Sequence, residues 1–195
     1  MNYYIADMHF GHANVLRFDN RPFSSVEEME EELVKRWNAR VQKGDTVYIL
    51  GDFCWQKEPE WIRILKRLNG GKVLIVGNHD IGGSATLRKM FQDVKEYKEI
   101  KDNGRFVVLS HYPIPCFKNH FYGAYHLYGH VHSTFEYKVM RITKNLLVKM
   151  HSCMCQMYNA GCMMPYMDYT PRTLDEIVAG AEEYEKGDEE HGISD

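Results

Sequence analysis

Long apolar runs are missing from this 195-residue chain. Nothing approaches the roughly 18 consecutive apolar residues of a membrane-spanning helix, so no membrane association is expected. A basic excess is missing too. Lys and Arg total 24 against 27 Asp and Glu, a net charge of −3, whereas gripping a long polyanion takes many Lys and Arg against its phosphates. Nucleic acid is therefore an unexpected partner, while a small phosphorylated molecule stays open. The five cysteines (54, 116, 153, 155 and 162) are odd in number and lack the density of a disulfide-stapled secreted scaffold. Residues Met1 to His9 carry neither a basic segment nor an apolar stretch of the export type. These absences lead to the expectation of a reduced, cytoplasmic protein. Repeats, linkers and low-complexity tracts are absent as well, and nothing in the pattern speaks to oligomeric state.

Hydrophobic residues make up 44% and charged residues 26%, ordinary values for a folded domain. The length suits one domain over residues 1–180, with 181–195 as an acidic C-terminal helix end and tail. Tyr3–Ala6, Thr46–Leu50 and Lys72–Val76 are short apolar runs that predict buried strands. Between them, Ser24 and Ser25 precede Glu27 and Glu28 at capping-box spacing. Val26, Met29, Leu33, Trp37 and Val41 then recur at helical spacing, predicting a helix over 25–42. Pro59 opens another helix carrying Trp61, Ile64, Leu65 and Leu68, and Gly70-Gly71 stops it. This alternation predicts βαβ units, whose ligands collect beyond the strand ends. Further on, Asn103-Gly104 between Tyr97–Lys101 and Phe106–Ser110 signals a hairpin. Strands are expected around 127–129, 134–141, 145–150 and 156–163 as antiparallel meanders. Thr173 with Glu176 caps a last helix to about residue 186.

Ten histidines are many for this length. Five short motifs occur in order: Asp7-Met8-His9, Gly51-Asp52, Gly77-Asn78-His79-Asp80, Ser110-His111 and Gly129-His130-Val131-His132. Each falls at a predicted strand end. On extended backbone Asp7 and His9 would project from one side, as would His130 and His132. The glycines allow tight turns close to a bound ion. Asp, Asn and His are oxygen and nitrogen donors suited to Zn²⁺, Mn²⁺ or iron. The Gly-Asn-His-Asp tetrapeptide alone arises by chance on the order of once in a thousand such chains. All five motifs in this order indicate a metal centre.

The series resembles the calcineurin-like metallophosphoesterase superfamily, whose pattern is DxH, GD, GNH[DE], H and GHxH. It spans residues 7–132, and the stretch ADMHFGHANVLRFDNRPF is similar to a subgroup of small, single-domain bacterial and phage phosphoesterases. The resemblance implies an α/β fold, a calcineurin-like four-layer αββα sandwich of two mixed β-sheets flanked by helices. It also implies two divalent transition-metal ions (Mn, Fe, Zn or Ni). One would be held by Asp7, His9, Asp52 and His132, the other by Asp52, Asn78, His111 and His130, with Asp52 bridging. His79 would face the leaving group, with Asp80 a candidate to orient it. The implied activity is hydrolysis of a small phosphomonoester or phosphodiester by a metal-bridging hydroxide. Two cations less Asp7, Asp52 and one hydroxide leave about +1, which favours a phosphate oxyanion. The protein Ser/Thr phosphatases of the superfamily resemble GDxxDRG at the second motif. Here Gly51-Asp52-Phe53-Cys54-Trp55-Gln56 lacks the second Asp and the Arg, which argues against phosphoprotein specificity. A nuclease of the same superfamily is the runner-up, though its larger relatives add DNA-engaging regions with little room here. A metal-retaining, non-catalytic protein-binding scaffold is the alternative from another class, and retention of His79 argues against it.

Weaker signals flank the series. His12, Arg17 and Arg21 follow the first motif and could grip a substrate phosphate; pairing with Asp19 is the competing reading. Between two motifs, Tyr112, Phe117, Phe121, Tyr122, Tyr125 and Tyr128, with His120 and His126, form either an aromatic substrate rim or packed loops. His151, Cys153, Cys155 and Cys162 lack the usual zinc spacing, and strand alternation would bury Cys153 and Cys155.

Overall fold

The structure, a computed structural model, describes residues 1–80, 84–151 and 154–190. Four short strands, β1 (Asn2–Ile5), β2 (Thr46–Ile49), β3 (Gly71–Ile75) and β4 (Asp93–Lys95), pair in chain order, all parallel. Parallel sheets are covered on both faces, which is why the inner lengths of β1, β2 and β3 are apolar, whereas β4 at the edge is Asp93-Val94-Lys95. The crossovers carry α1 (Val15–Phe18), α2 (Val26–Arg40), α3 (Glu58–Leu65) and α4 (Ala85–Arg88). Ser25 caps α2, its Oγ accepting from the Glu28 amide at 3.1 Å, and Met29, Leu33, Val34 and Trp37 form its buried face. α3 has Pro59 in its first turn and buries Trp61, Ile64 and Leu65.

The second sheet runs β5 (Tyr97–Asp102), β6 (Arg105–Ser110), β7 (Tyr125–Tyr128) and β8 (Gln156–Asn159). Only β5 and β6 are antiparallel, joined at Asn103 and Gly104, both with positive φ (48° and 80°), which two-residue hairpin turns need. β6–β7 and β7–β8 are parallel, so the sheet is mixed rather than an antiparallel meander.

Of residues 134–141 and 145–150, expected as strands, all but Thr134 belong instead to a single helix, α5 (Phe135–His151). The β-branched Val139, Ile142, Thr143 and Val148 suggested strands. Yet Phe135, Val139, Ile142, Leu146 and Met150 recur every three or four residues, and Glu, Lys, Met, Arg and Leu fill most other positions. Much of that apolar stripe faces outward: Phe135, Ile142, Leu146 and Met150 are exposed, while Tyr137 turns into the core. α6 (Leu174–Glu190) runs beyond the expected end near 186. Its capping box is made, Thr173 N and Oγ1 donating to Glu176 Oε2 at 2.9 and 3.0 Å. Lys144 Nζ of α5 pairs with Glu185 Oε2 of α6 at 3.0 Å.

Past its end β1 is stitched to the second sheet: Ala6 N donates to Ala160 O and Cys162 N to Ala6 O, at 2.8 and 2.9 Å. The carboxyl ends of β1, β2, β3, β6 and β7 therefore open onto one place. Cys155 and Cys162 are buried as small apolar groups; Cys153 lies outside the described residues.

Candidate metal centre

Each of the five motifs sits just past one of these strand ends, and their side chains converge. Ligand atoms of Asp7, His9 and His132 lie within 4.8 Å of one another, as do those of Asp7, Asp52 and His111. Asn78 Oδ1 is 2.9 Å from His111 Nε2 and 3.0 Å from His130 Nδ1, which draws the remaining two candidate ligands into the same cluster. Asp52 faces both ways: Oδ2 lies 3.7 Å from His9 Nε2 and Oδ1 3.6 Å from His111 Nε2.

The backbone that does this is strained, not extended. Asp7, His9, Asp52, His130 and His132 all have φ between 47° and 69°. Non-glycine residues seldom adopt this region, and such strain gathers at functional sites. Gly51 (φ 89°) precedes Asp52, and a β-carbon there would strike the His111 ring. At Gly129 it would lie 2.6 Å from Ala6 Cβ and 2.8 Å from Asp7 Oδ2. Only glycine lets the chain pass that close.

Behind the cluster, hydrogen bonds choose which imidazole nitrogen points inward. His132 Nδ1 bonds Asp19 Oδ1 at 2.7 Å, and His111 Nδ1 donates to Leu50 O at 2.9 Å. Both arrangements turn Nε2 toward the cluster, as in carboxylate–histidine–metal sets. His9 Nε2 and His132 Nε2 are 3.2 Å apart. With Nδ1–H given to Asp19 and to Leu50 O, neutral His132 and His111 keep an Nε2 lone pair facing His9 and Asn78 Oδ1, an arrangement that suits a cation. The donor set of carboxylates, imidazoles and one amide thus fits divalent transition metals.

Burial sets the electrostatics. It lifts the Asp7 carboxyl to about 7, against the pull of His132 and with the help of Asp52. Burial also holds His9 far below the usual histidine range, and His111 below it, keeping both rings neutral and ready to ligate. His132 goes the other way: burial lowers it, but Asp19 and Asp7 outweigh burial and raise it.

Arg21, a candidate phosphate grip, is buried behind the cluster. Its guanidinium donates to Asp19 Oδ2 (3.0 and 2.8 Å), to Asp7 O (2.8 Å) and to Met8 O (2.9 Å). It braces the first motif and the carboxylate that orients His132, so the pairing with Asp19 is the geometry found. Sequence reasoning assigned Asp19 no such role; the Asp-x-Arg spacing in the same stretch was the available signal. Arg17 is exposed, its guanidinium 5.5 Å from the Phe18 ring. Asp80 does not turn to His79. Its Oδ2 accepts from Gly77 N (2.8 Å) and Asp52 N (3.0 Å) and its Oδ1 from Phe53 N (2.8 Å), pinning the second motif to the third. Desolvation raises this carboxyl to about 6 despite those amides.

A cavity of about 380 Å³ opens over the cluster, reached by His9, Asp52, Asn78, His130 and His132 from below. His12, Asn14, Val15, Phe18, Trp55 and His79 form its walls. His79 is exposed to it, and its amide donates to Asp52 Oδ1 at 3.0 Å. In the aromatic segment, Phe117 and Tyr128 pack in the core and His126 is fully buried, while Tyr112, Phe121 and Tyr122 are exposed. Tyr112 packs on His130 with ring centroids 4.4 Å apart.

The model of the calcineurin-like phosphoesterase family matches residues 3–144, and the chain belongs to that family. It is 38% identical over 133 residues to an uncharacterised protein of Methanocaldococcus jannaschii, covering 67% of this chain and 69% of that one. It is also 37% identical over 81 residues to the gene 66 protein of Mycobacterium phage L5, covering 40% of this chain and 39% of that one. Among solved structures, a protein of unknown function from Aquifex aeolicus superposes over 96% of this chain and 99% of its own, with TM-score 0.58 and 24% identity. That likeness is one of fold. Two sheets, one parallel and one mixed, flanked by helices, are the family's architecture. Among the described residues no helix is long and apolar enough to cross a membrane.

Proposed function

We propose that the chain is a dinuclear metal-dependent phosphoesterase acting on a small phosphorylated molecule. The observation that carries this reading is Asp52, whose two oxygens face opposite halves of one donor cluster. Asp7, His9 and His132 would hold one cation with Asp52, and Asn78, His111 and His130 the other. Manganese, iron, zinc and nickel all suit these donors. When bound, such a pair supplies Lewis acidity to a phosphoryl oxygen and acidifies a water.

The protein's own groups do the rest. Asp19 and Leu50 O hold His132 and His111 in the ligating tautomer. His79 lines the cavity wall, which supports its giving a ring N–H to the departing alkoxide. His12 shares that wall, and its Nδ1 is buried without a hydrogen-bond partner, which supports a role at the substrate. The cavity volume suits a small ester better than a polymer. A reduced cytoplasmic setting agrees with the free thiols of Cys54 and Cys162, which burial pushes up to about 12.

The test is chelation and reloading with each metal, followed by hydrolysis of p-nitrophenyl phosphate and its bis ester. About two ions per chain and metal-dependent turnover are expected. His79→Ala should keep its metal and lose ~10²- to 10⁴-fold in rate. Fully loaded protein inert toward every ester in a broad panel would overturn the reading.

A further inference from the structure

Four rings stand in a row along one wall of the cavity. His12 and Trp55 lie nearly parallel, centroids 4.1 Å apart and planes at 8°. His79 packs against Trp55 at 4.3 Å, and Phe18 meets His12 edge-on at 6.4 Å. Two of the four are large apolar groups left in water: Phe18 is 63% exposed and Trp55 45%, whereas Trp37 and Trp61 are 1% and 0% exposed. The neighbouring Phe10 and Phe53 show that the same loops can bury an aromatic ring completely. A paired apolar exposure lining a cavity with a few convergent polar groups marks a binding surface.

From this row we infer that the cavity selects phosphoesters bearing a flat aromatic or heteroaromatic group, which packs on Phe18 and Trp55 while the phosphate lies over the donor cluster. The inference rests on the phosphoesterase reading and names its substrate class. Trp55 has its faces against His12 and His79, so it offers a ligand its exposed edge, suited to edge-to-face contact. Phe18, at the other end of the row, adds its own exposed surface. Asn14, on the same wall, adds an amide for polar atoms on such a group. The wall comes from the segments after β1, β2 and β3, not from the aromatic segment after β6.

The test is equilibrium binding to metal-loaded protein with probes that cannot be hydrolysed. Trp55 is the exposed one of the three tryptophans, so its emission reports occupancy. Phenylphosphonate should bind roughly 10- to 100-fold tighter than methylphosphonate and shift that emission. Phe18→Ala should remove most of the preference and leave methylphosphonate affinity unchanged. Trp55→Ala, followed by calorimetry because it lacks the reporter ring, should also remove the preference, with Phe18→Ala the cleaner variant because Trp55 packs on His12 and His79. Adenosine 5′-monophosphate in parallel separates a nucleobase from a simple aryl group. Equal affinity for the two phosphonates, or a preference that survives both substitutions, would overturn the inference. Turnover of alkyl and aryl esters at equal kcat/KM would overturn it and leave the phosphoesterase standing. Aryl-selective binding without hydrolysis of any ester would instead sink the phosphoesterase reading.

Discussion

The donor cluster has two unequal halves. Asp7, His9 and His132 are closed in: Asp7 is 0% and His9 4% exposed, and His132 leans on Asp19, which Arg21 holds from behind. Asn78 is exposed and His130 partly so, and their side chains lie against each other, against Tyr112 and against His111, the buried ligand of that half that Leu50 O already orients. The contrast is one of preorganisation. A ligand whose far nitrogen is already bonded loses little freedom on binding an ion, while an exposed amide must be ordered first. On the proposed dinuclear reading, the first half would retain its ion and the second would exchange it, on the side where substrate would enter.

Asp52→Asn is the largest blow to that asymmetry, because Asp52 serves both halves. It should cost both ions and bring hydrolysis below detection, read by elemental analysis beside a phosphatase assay. Loss of a single ion would mean that Asp52 belongs to one half alone. Asp19→Asn comes next. It keeps the shape but removes the charge that orients His132, and should weaken the closed half ~10- to 100-fold, measured by metal competition. Asn78→Ala should weaken only the open half. In the unaltered protein, stepwise chelation should strip the open half first; the reverse order would break the comparison.

The parts of this architecture that could be read in advance share a physical cause. β1, β2 and β3 are short, apolar on both faces and stopped by Gly-Asp, Gly-Asn or Asp, so periodicity and turn chemistry agreed. α5 misled because its apolar stripe faces water, so β-branched residues spoke louder than a pattern that buries little. The motif residues could be listed in order, but not the way they meet. The pairs Asp7/His9 and His130/His132 were expected on extended backbone, yet positive φ at each aims them. Strain of that kind is held by packing from the other sheet, which a local pattern does not record. Arg21 shows the same limit. An arginine beside a phosphate-binding motif suggests a grip on substrate, and only three-dimensional packing reveals its charge turned inward onto Asp19.

The remaining effect expected is one of pH, and it acts first on the closed half, to which Asp7 belongs. The Asp7 carboxyl sits at about 7 in the fold against 3.8 for the free side chain, with desolvation the main cause. A folded value above the unfolded one contributes stability that is fully present below about pH 4 and lost as pH rises through about 7. Asp80, raised to about 6, acts in the same direction. Metal-free protein should therefore lose stability across pH 4 to 7, by no more than about 4 kcal/mol from Asp7. Metal affinity should climb over the same window, up to about tenfold per pH unit, because Asp7 must give up its proton to ligate. The gap in Tm between loaded and metal-free protein, followed from pH 5 to 7.5, should widen steadily. In Asn78→Ala the widening should persist, since the closed half is untouched. Should it vanish there, the proton belongs to the open half, and the two halves are coupled more tightly than their burial suggests.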